Sequence, residues 1–152
     1  MSVERTIEKA HEALQADESA SASALFESAA RELANSDRRQ AAHLFLLASS
    51  HAATAREDSL MADAQRIYEL VGDDEKIAEV TLLRAAAAMR IGAPGRAWNF
   101  YITCAKHASM RLAQILVTDP TSELPGSITP TMELLFDQLS HCRAKLSELE
   151  EQ

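Results

Sequence analysis

Glycine and proline are scarce in this chain, four of each in 152 residues. That is too few turn formers for a strand-and-turn protein and too few breakers for a disordered linker. Cysteine is limited to Cys104 and Cys142. Two thiols cannot supply the disulfide framework of a small secreted fold, and a domain of this length buries about two-thirds of its surface without staples. Reduced, buried thiols are the reading adopted, with a single Cys104–Cys142 bridge left open. Basic residues are in deficit: 15 Lys and Arg stand against 23 Asp and Glu, for a net charge of -8. Arg38 and Arg39 are adjacent, but Arg56, Arg66, Arg84, Arg96 and Arg111 are scattered, so no concentrated positive field exists to displace counterions from phosphates. Neither nucleic acid nor membrane is expected as a partner. Strictly apolar runs stop at five residues, as in Ala85–Met89, against the roughly 20 needed to span a bilayer. The opening Met-Ser-Val-Glu-Arg places an acid where a leader peptide is basic, and a cytoplasmic location is the expectation.

What is abundant is apolar residues at three- and four-residue steps, the period of amphipathic helices. Val3, Ile7, Ala10 and Leu14 form a first stripe. Asp17 is read as the cap of a second helix carrying Ala22, Leu25, Phe26, Ala29 and Leu33. Asp37 and Gln40 form a capping box for a third, whose stripe is Ala41, Leu44, Phe45, Ala48, Ala52 and Ala55. Asp58 or Ser59 then opens a fourth, with Met61, Ala64, Ile67, Tyr68 and Val71 on one side. Gly72 supplies a left-handed end and Asp73 a new cap. The fifth helix turns Ile77, Val80, Leu83 and Ala87 inward and stops at Gly92. Pro94 starts the sixth, with Trp98, Tyr101, Ile102, Ala105, Ala108, Leu112, Ile115 and Leu116 on its apolar side. Between Val117 and Thr129, Pro120, Pro125, Gly126 and Ser127 break the pattern and predict a loop. Thr129 and Pro130 open a seventh helix whose Met132, Leu135, Leu139, Cys142, Leu146 and Leu149 form a heptad seam. The fold class is therefore all-α, with about seven antiparallel helices in a single domain. Its parts are a helix pair at 1–36, a repeat region at 37–117, a loop at 118–129 and a C-terminal helix at 130–152.

One feature of this helical pattern repeats. Ala64, Tyr68 and Val71 recur 33 residues later as Ala97, Tyr101 and Cys104. A small residue admits a neighbouring helix closely and the aromatic one turn on fills the space beyond it. With Ala85 and Gly92 added, the stretch Ile77–Ala105 resembles the tetratricopeptide repeat family, and Gly72-Asp73 is similar to the junction of its longer-period members. The copy at about 41–71 keeps the second helix, lacks a glycine at its turn, and has a first helix one turn longer. The pair before it offers no defensible register. The resemblance implies helix pairs stacked side by side, with the C-terminal helix covering the open end. An ordinary helical bundle with an accidental period is the alternative.

Residues able to carry chemistry are sparse. Cys104 and His107 lie three apart, and His141 adjoins Cys142. Zinc needs about four converging ligands, whereas adjacent helical residues diverge by about 100°. No metal or other cofactor is expected. His43 and His51, near Glu57 and Asp58, lack a nucleophile motif or a phosphate-binding loop, so no catalytic residues and no enzymatic activity are assigned. Trp98, Phe100 and Tyr101 have only Arg96 and Lys106 as basic flanks and read as core rather than as a nucleobase platform.

The family resemblance implies a concave groove lined by the first helix of each pair, holding an extended or helical peptide of a protein partner. The positions it implies are Glu79, Leu82, Ala86, Met89 and Arg90 in the better repeat, and Ser49, Ala53 and Arg56 in the weaker one. Met89 offers an adaptable apolar contact, while Arg56 and Arg90 offer anchors for carboxylates or carbonyls. The expected function is a non-enzymatic interaction module, a small adaptor or chaperone, similar in size and repeat type to the acidic chaperones of bacterial secretion systems. The alternative is a helical homo-oligomer, such as a homodimer built on the C-terminal heptads.

Overall fold

A computed structural model describes residues 2–118 and 129–151. They form seven helices and, among the described residues, no strand: α1 (Val3–Gln15), α2 (Ser19–Leu33), α3 (Arg38–Ser50), α4 (Thr54–Val71), α5 (Asp74–Arg90), α6 (Pro94–Thr118) and α7 (Pro130–Glu150). The all-α expectation holds, the packing is consistent with antiparallel neighbours, and the arrangement is compatible with a helical repeat. Of the loop expected at 118–129, residues 119–128 lie outside those described, while Thr118 ends α6 and Thr129 caps α7.

Caps set the helix starts. The Ser2 hydroxyl accepts the Arg5 N–H at 3.2 Å, Asp37 Oδ1 accepts that of Gln40 at 3.2 Å, and Asp73 Oδ1 accepts that of Lys76 at 3.1 Å. These three caps open α1, α3 and α5 and stand 35 and 36 residues apart in sequence. The fourth residue after each cap (Thr6, Ala41 and Ile77) is buried. Thr129 caps α7 through the Met132 N–H at 3.2 Å, with Pro130 in its first turn. Gly72 closes α4 at φ 72°, a left-handed conformation that costs glycine little and other residues more.

Two expected boundaries are corrected. Asp17 does not cap α2; it adopts φ 58° in the turn before it, a left-handed position that aspartate tolerates. The third helix does not run to Ala55, and the fourth begins at Thr54, not at Asp58 or Ser59. The Ser49 and Ser50 hydroxyls donate to the carbonyls of Leu46 and Leu47 at 2.7 and 2.8 Å, and the His51 N–H closes on Ala48. Local side-chain bonds of this kind compete with helix continuation, so the chain turns without glycine or proline.

The chain divides into two compact units, Met1–Gly72 and Asp73–Gln152. In the first, α1 packs on α2, α2 on α3 and α3 on α4. Among the described residues α1 makes no comparable contact with α4, so these helices form an open row rather than a closed bundle. Ala22, Phe26 and Ala29 of α2 are fully buried, and the Ser23 hydroxyl donates to the Ala48 carbonyl at 2.8 Å, pinning α2 to α3. The first helix pair therefore has a register after all. Ala22, Phe26 and Ala29 occupy the same places from the start of α2 as Ala97, Tyr101 and Cys104 do from the start of α6.

In the second unit α6 packs between α5 and α7, and α7 also touches α5. The core joins Ala78 and Ala85 of α5, Ala97, Tyr101, Cys104 and Leu112 of α6, and Leu135 and Cys142 of α7. The other seam residues of α7 (Met132, Leu139, Leu146 and Leu149) pack against it. Three residues expected to face inward do not: Leu83, Ile102 and Leu116 are 46%, 44% and 61% exposed. Periodicity places them beside the apolar stripe, but among the described residues α5 and α6 are covered over only part of their circumference. Replacing fully buried Ala97 with Leu is expected to lower stability by about 1–3 kcal/mol through overpacking. Ala86→Leu on exposed α5 surface should cost no more than about 0.5 kcal/mol. Urea denaturation midpoints check both.

Candidate functional site

Along α5, with about 100° between successive residues, Glu79, Leu82, Ala86, Met89 and Arg90 fall within an arc of about 120°, and Leu83 falls inside the same arc. The buried residues Ile77, Ala78, Val80, Thr81, Ala85, Ala87 and Ala88 occupy the opposite side. Glu79, Leu83, Ala86, Met89 and Arg90 are exposed, and Leu82 packs partly against the core. Lys76 Nζ lies 3.2 Å from Glu79 Oε2. Ile91, directly after the helix, is 55% exposed. On the inner side, the Arg84 guanidinium lies over the Phe100 ring of α6, 4.3 Å from its centroid, a cation–π contact that fixes α5 against α6.

The positions implied for the weaker repeat lie in the first unit and are differently placed. Ser49 is buried, with its hydroxyl committed to the Leu46 carbonyl. Ala53 is exposed at the start of α4. Arg56 is exposed and pairs with Glu27 of α2. Glu27 also accepts from Arg31 at 3.4 Å, and Asp63 lies 3.8 Å from Arg31 and 3.2 Å from Arg66. Of these charges, Arg31, Asp63 and Arg66 line a cleft of about 250 Å3 together with Ala34, Phe45 and Ile67. Five of the eight implied binding positions thus share one helix face, while Ser49, Ala53 and Arg56 belong to the other unit.

The histidines and cysteines are arranged otherwise than their sequence spacing suggests. His107 does not join Cys104; its Nδ1 donates to Asp74 Oδ1 of α5 at 2.6 Å, and Gln114 Nε2 donates to the other carboxylate oxygen at 3.4 Å. Arg111 Nε reaches Glu75 Oε1 at 2.6 Å. His51 stacks near Phe26 with ring centroids 6.4 Å apart, and His11 meets the same ring edge-on at 5.3 Å. His141 packs edge-on to Tyr101. Cys104 and Cys142 share the core with no exposed surface, hydrogen-bonded to each other, and the Thr81 hydroxyl is a further neighbour of Cys104. That bond and burial push the Cys104 thiol up from its ordinary range, whereas receiving it draws Cys142 down. Among the described residues no group of three or more His, Cys, Asp or Glu is placed to hold a metal ion. None of the described helices is long and apolar enough to cross a membrane.

Gln138, one turn before Cys142 on α7, is 8% exposed, and its Oε1 has no hydrogen-bond partner among the described residues. An unsatisfied buried acceptor costs about 1–3 kcal/mol. The sequence gives no sign of this, because a lone glutamine in a heptad reads as a solvent position. The Asp74–His107 and Arg111–Glu75 pairs are likewise invisible to local patterns, since their partners lie 33 and 36 residues apart.

A double-mutant cycle with Asp74→Asn and His107→Ala should give a coupling of about 1 kcal/mol or more. The more exposed Glu75–Arg111 pair should give about 0.2–1 kcal/mol and weaken in salt. Tyr101, buried in the core, has its hydroxyl pushed above its ordinary value of 10.0, chiefly by burial. The folded state therefore holds that proton more tightly than the unfolded chain. Its contribution is complete below about pH 10 and is lost as pH rises through the folded value. Alkaline unfolding monitored by circular dichroism should shift to higher pH in Tyr101→Phe. No protein-family model, curated protein or solved structure matches this chain.

Proposed function

We propose that the chain is a non-enzymatic protein-interaction module, an adaptor or small chaperone of tetratricopeptide-like construction, and that the outer face of α5 grips a helix or peptide of a partner protein. The observation that carries this reading is the exposed stripe of Leu83, Ala86 and Met89 between Glu79 and Arg90. It extends about 16 Å at 1.5 Å per residue, three helical turns, which matches one face of a short partner helix. The Lys76–Glu79 pair at one end and the Arg90 cation at the other make the two ends unlike and give such a partner a preferred direction. Met89 adapts to apolar side chains without a fixed shape. Leu82, packed partly into the core, supports the face from beneath rather than forming its surface.

A photo-crosslinking residue at Met89, introduced in the native cell, identifies the partner; the same residue at exposed Glu12 serves as control. Calorimetry with the purified partner then compares wild type with Met89→Glu/Arg90→Glu. At least a tenfold loss of affinity is expected, because a few central residues dominate such interfaces. Unchanged affinity would reject this face as the site.

A second reading, self-association through α7, is favoured by Leu134 and Phe136, 57% and 44% exposed on that helix. Because the heptad seam packs on the core of its own unit, a homodimer would use these two residues. Sedimentation equilibrium should show a dimer lost in Leu134→Glu/Phe136→Glu; a wild-type monomer at all concentrations removes this reading.

A further inference from the structure

We propose that Cys104 and Cys142 are a reversible thiol–disulfide couple, a modification site that ties α7 to α6 when oxidised. The two side chains come from neighbouring packed helices and meet in one core with no exposed surface. Both are free thiols, and each is the other's hydrogen-bond partner.

Packing alone does not call for a thiol at Cys104. The equivalent place in α2 is Ala29, also fully buried, so a methyl group meets the steric requirement. A second cysteine on the facing helix, in the same buried core and its hydrogen-bond partner, turns a small packing residue into half of a redox pair. Access comes through α7. Gln138 Oε1, without a partner among the described residues, lies one turn from Cys142, and a buried acceptor left unpaired lowers the cost of opening this stretch of the interface. Of the two thiols, Cys142 is the one whose proton is held less tightly, because it accepts the hydrogen bond, so it is the sulfur that attacks first.

The oxidant is a low-molecular-weight disulfide of the glutathione class. The Cys142 thiolate, its proton lost to solvent, attacks one sulfur of that disulfide. A mixed disulfide forms, and the first small thiolate leaves and is protonated. Cys104 then loses its proton, and its thiolate attacks the Cys142 sulfur. The Cys104–Cys142 bond forms, the mixed disulfide breaks and the second small thiol departs. The protein loses two electrons and two protons, and the oxidant becomes two thiols.

The test uses the full, reduced chain incubated with oxidised glutathione, quenched by alkylation and read by intact mass and peptide mapping. The expected result is a mass lower by about 2 Da, with residues 104 and 142 in one cross-linked peptide. The thermal midpoint should rise by at least about 5 °C, and dithiothreitol should reverse both changes. Gln138→Leu, which removes the orphaned acceptor, should slow bridging several-fold; an unchanged rate would refute the opening of α7 as the route. Persistent glutathione adducts, bridges between chains, or two alkylatable thiols after equilibration with excess oxidised glutathione would overturn the proposal.

Discussion

Where helices of this chain meet, the residue at the contact is repeatedly alanine. Ala22, Ala29, Ala41, Ala64, Ala85 and Ala97 have no exposed surface at all. A methyl side chain lets two backbones approach closely, and the resulting dispersion contacts are many and individually small. Each alanine contributes little hydrophobic free energy, at about 25 cal/mol per Å2 buried. Larger residues must then fill the space beyond each close approach. The few aromatics do this. Phe26, Phe45, Tyr68 and Tyr101 are buried, one on each of α2, α3, α4 and α6.

Smooth alanine surfaces specify distance better than register, because one methyl resembles the next along a helix. Polar contacts fix the register instead. In the first unit the Ser23 hydroxyl reaches across to the Ala48 carbonyl, and Glu27 and Asp63 link α2 to α4 through Arg56 and Arg31. In the second, Asp74 and Glu75 at the start of α5 hold His107 and Arg111 of α6. These two carboxylates also lie in the first turn of α5, where the helix dipole favours negative charge. One pair of residues therefore serves both the helix end and the helix–helix contact.

Much of this was legible in the sequence, and the exceptions have definite causes. Asp37, Asp73, Gly72, Thr129 and Pro130 announced their helix ends because capping is local chemistry. Tyr101, Ala97 and Cys104 announced the core of α6 because small and aromatic residues recur at packing distance. The break at His51–Ala53 left no signature, since serine hydroxyls rather than glycine or proline end α3. The register of the first helix pair was obscured because α4 starts seven residues earlier relative to its small-aromatic motif than α2 and α6 do. Leu83 was misplaced because a periodic pattern marks an apolar side without telling how much of it a neighbour covers. His107 was grouped with Cys104 because its carboxylate partner belongs to a different helix.

The outer face of α5 and the thiol pair draw on opposite sides of the same three-helix unit. Thr81, on the buried side of α5, is a neighbour of Cys104, so the packing beneath that helix includes the sulfur site. Leu83 and Met89 stand on the other side, in solvent. A bond between α6 and α7 adds no atom to the exposed stripe and removes none. It restricts the opening of α7, which touches α5 as well as α6. Under the two proposals made above, the bridge would act on a bound partner through the rigidity of the support under α5, not through the contact surface itself. Weakening the stripe by substitution and locking the support by oxidation are separable perturbations, and each leaves the chemistry of the other intact.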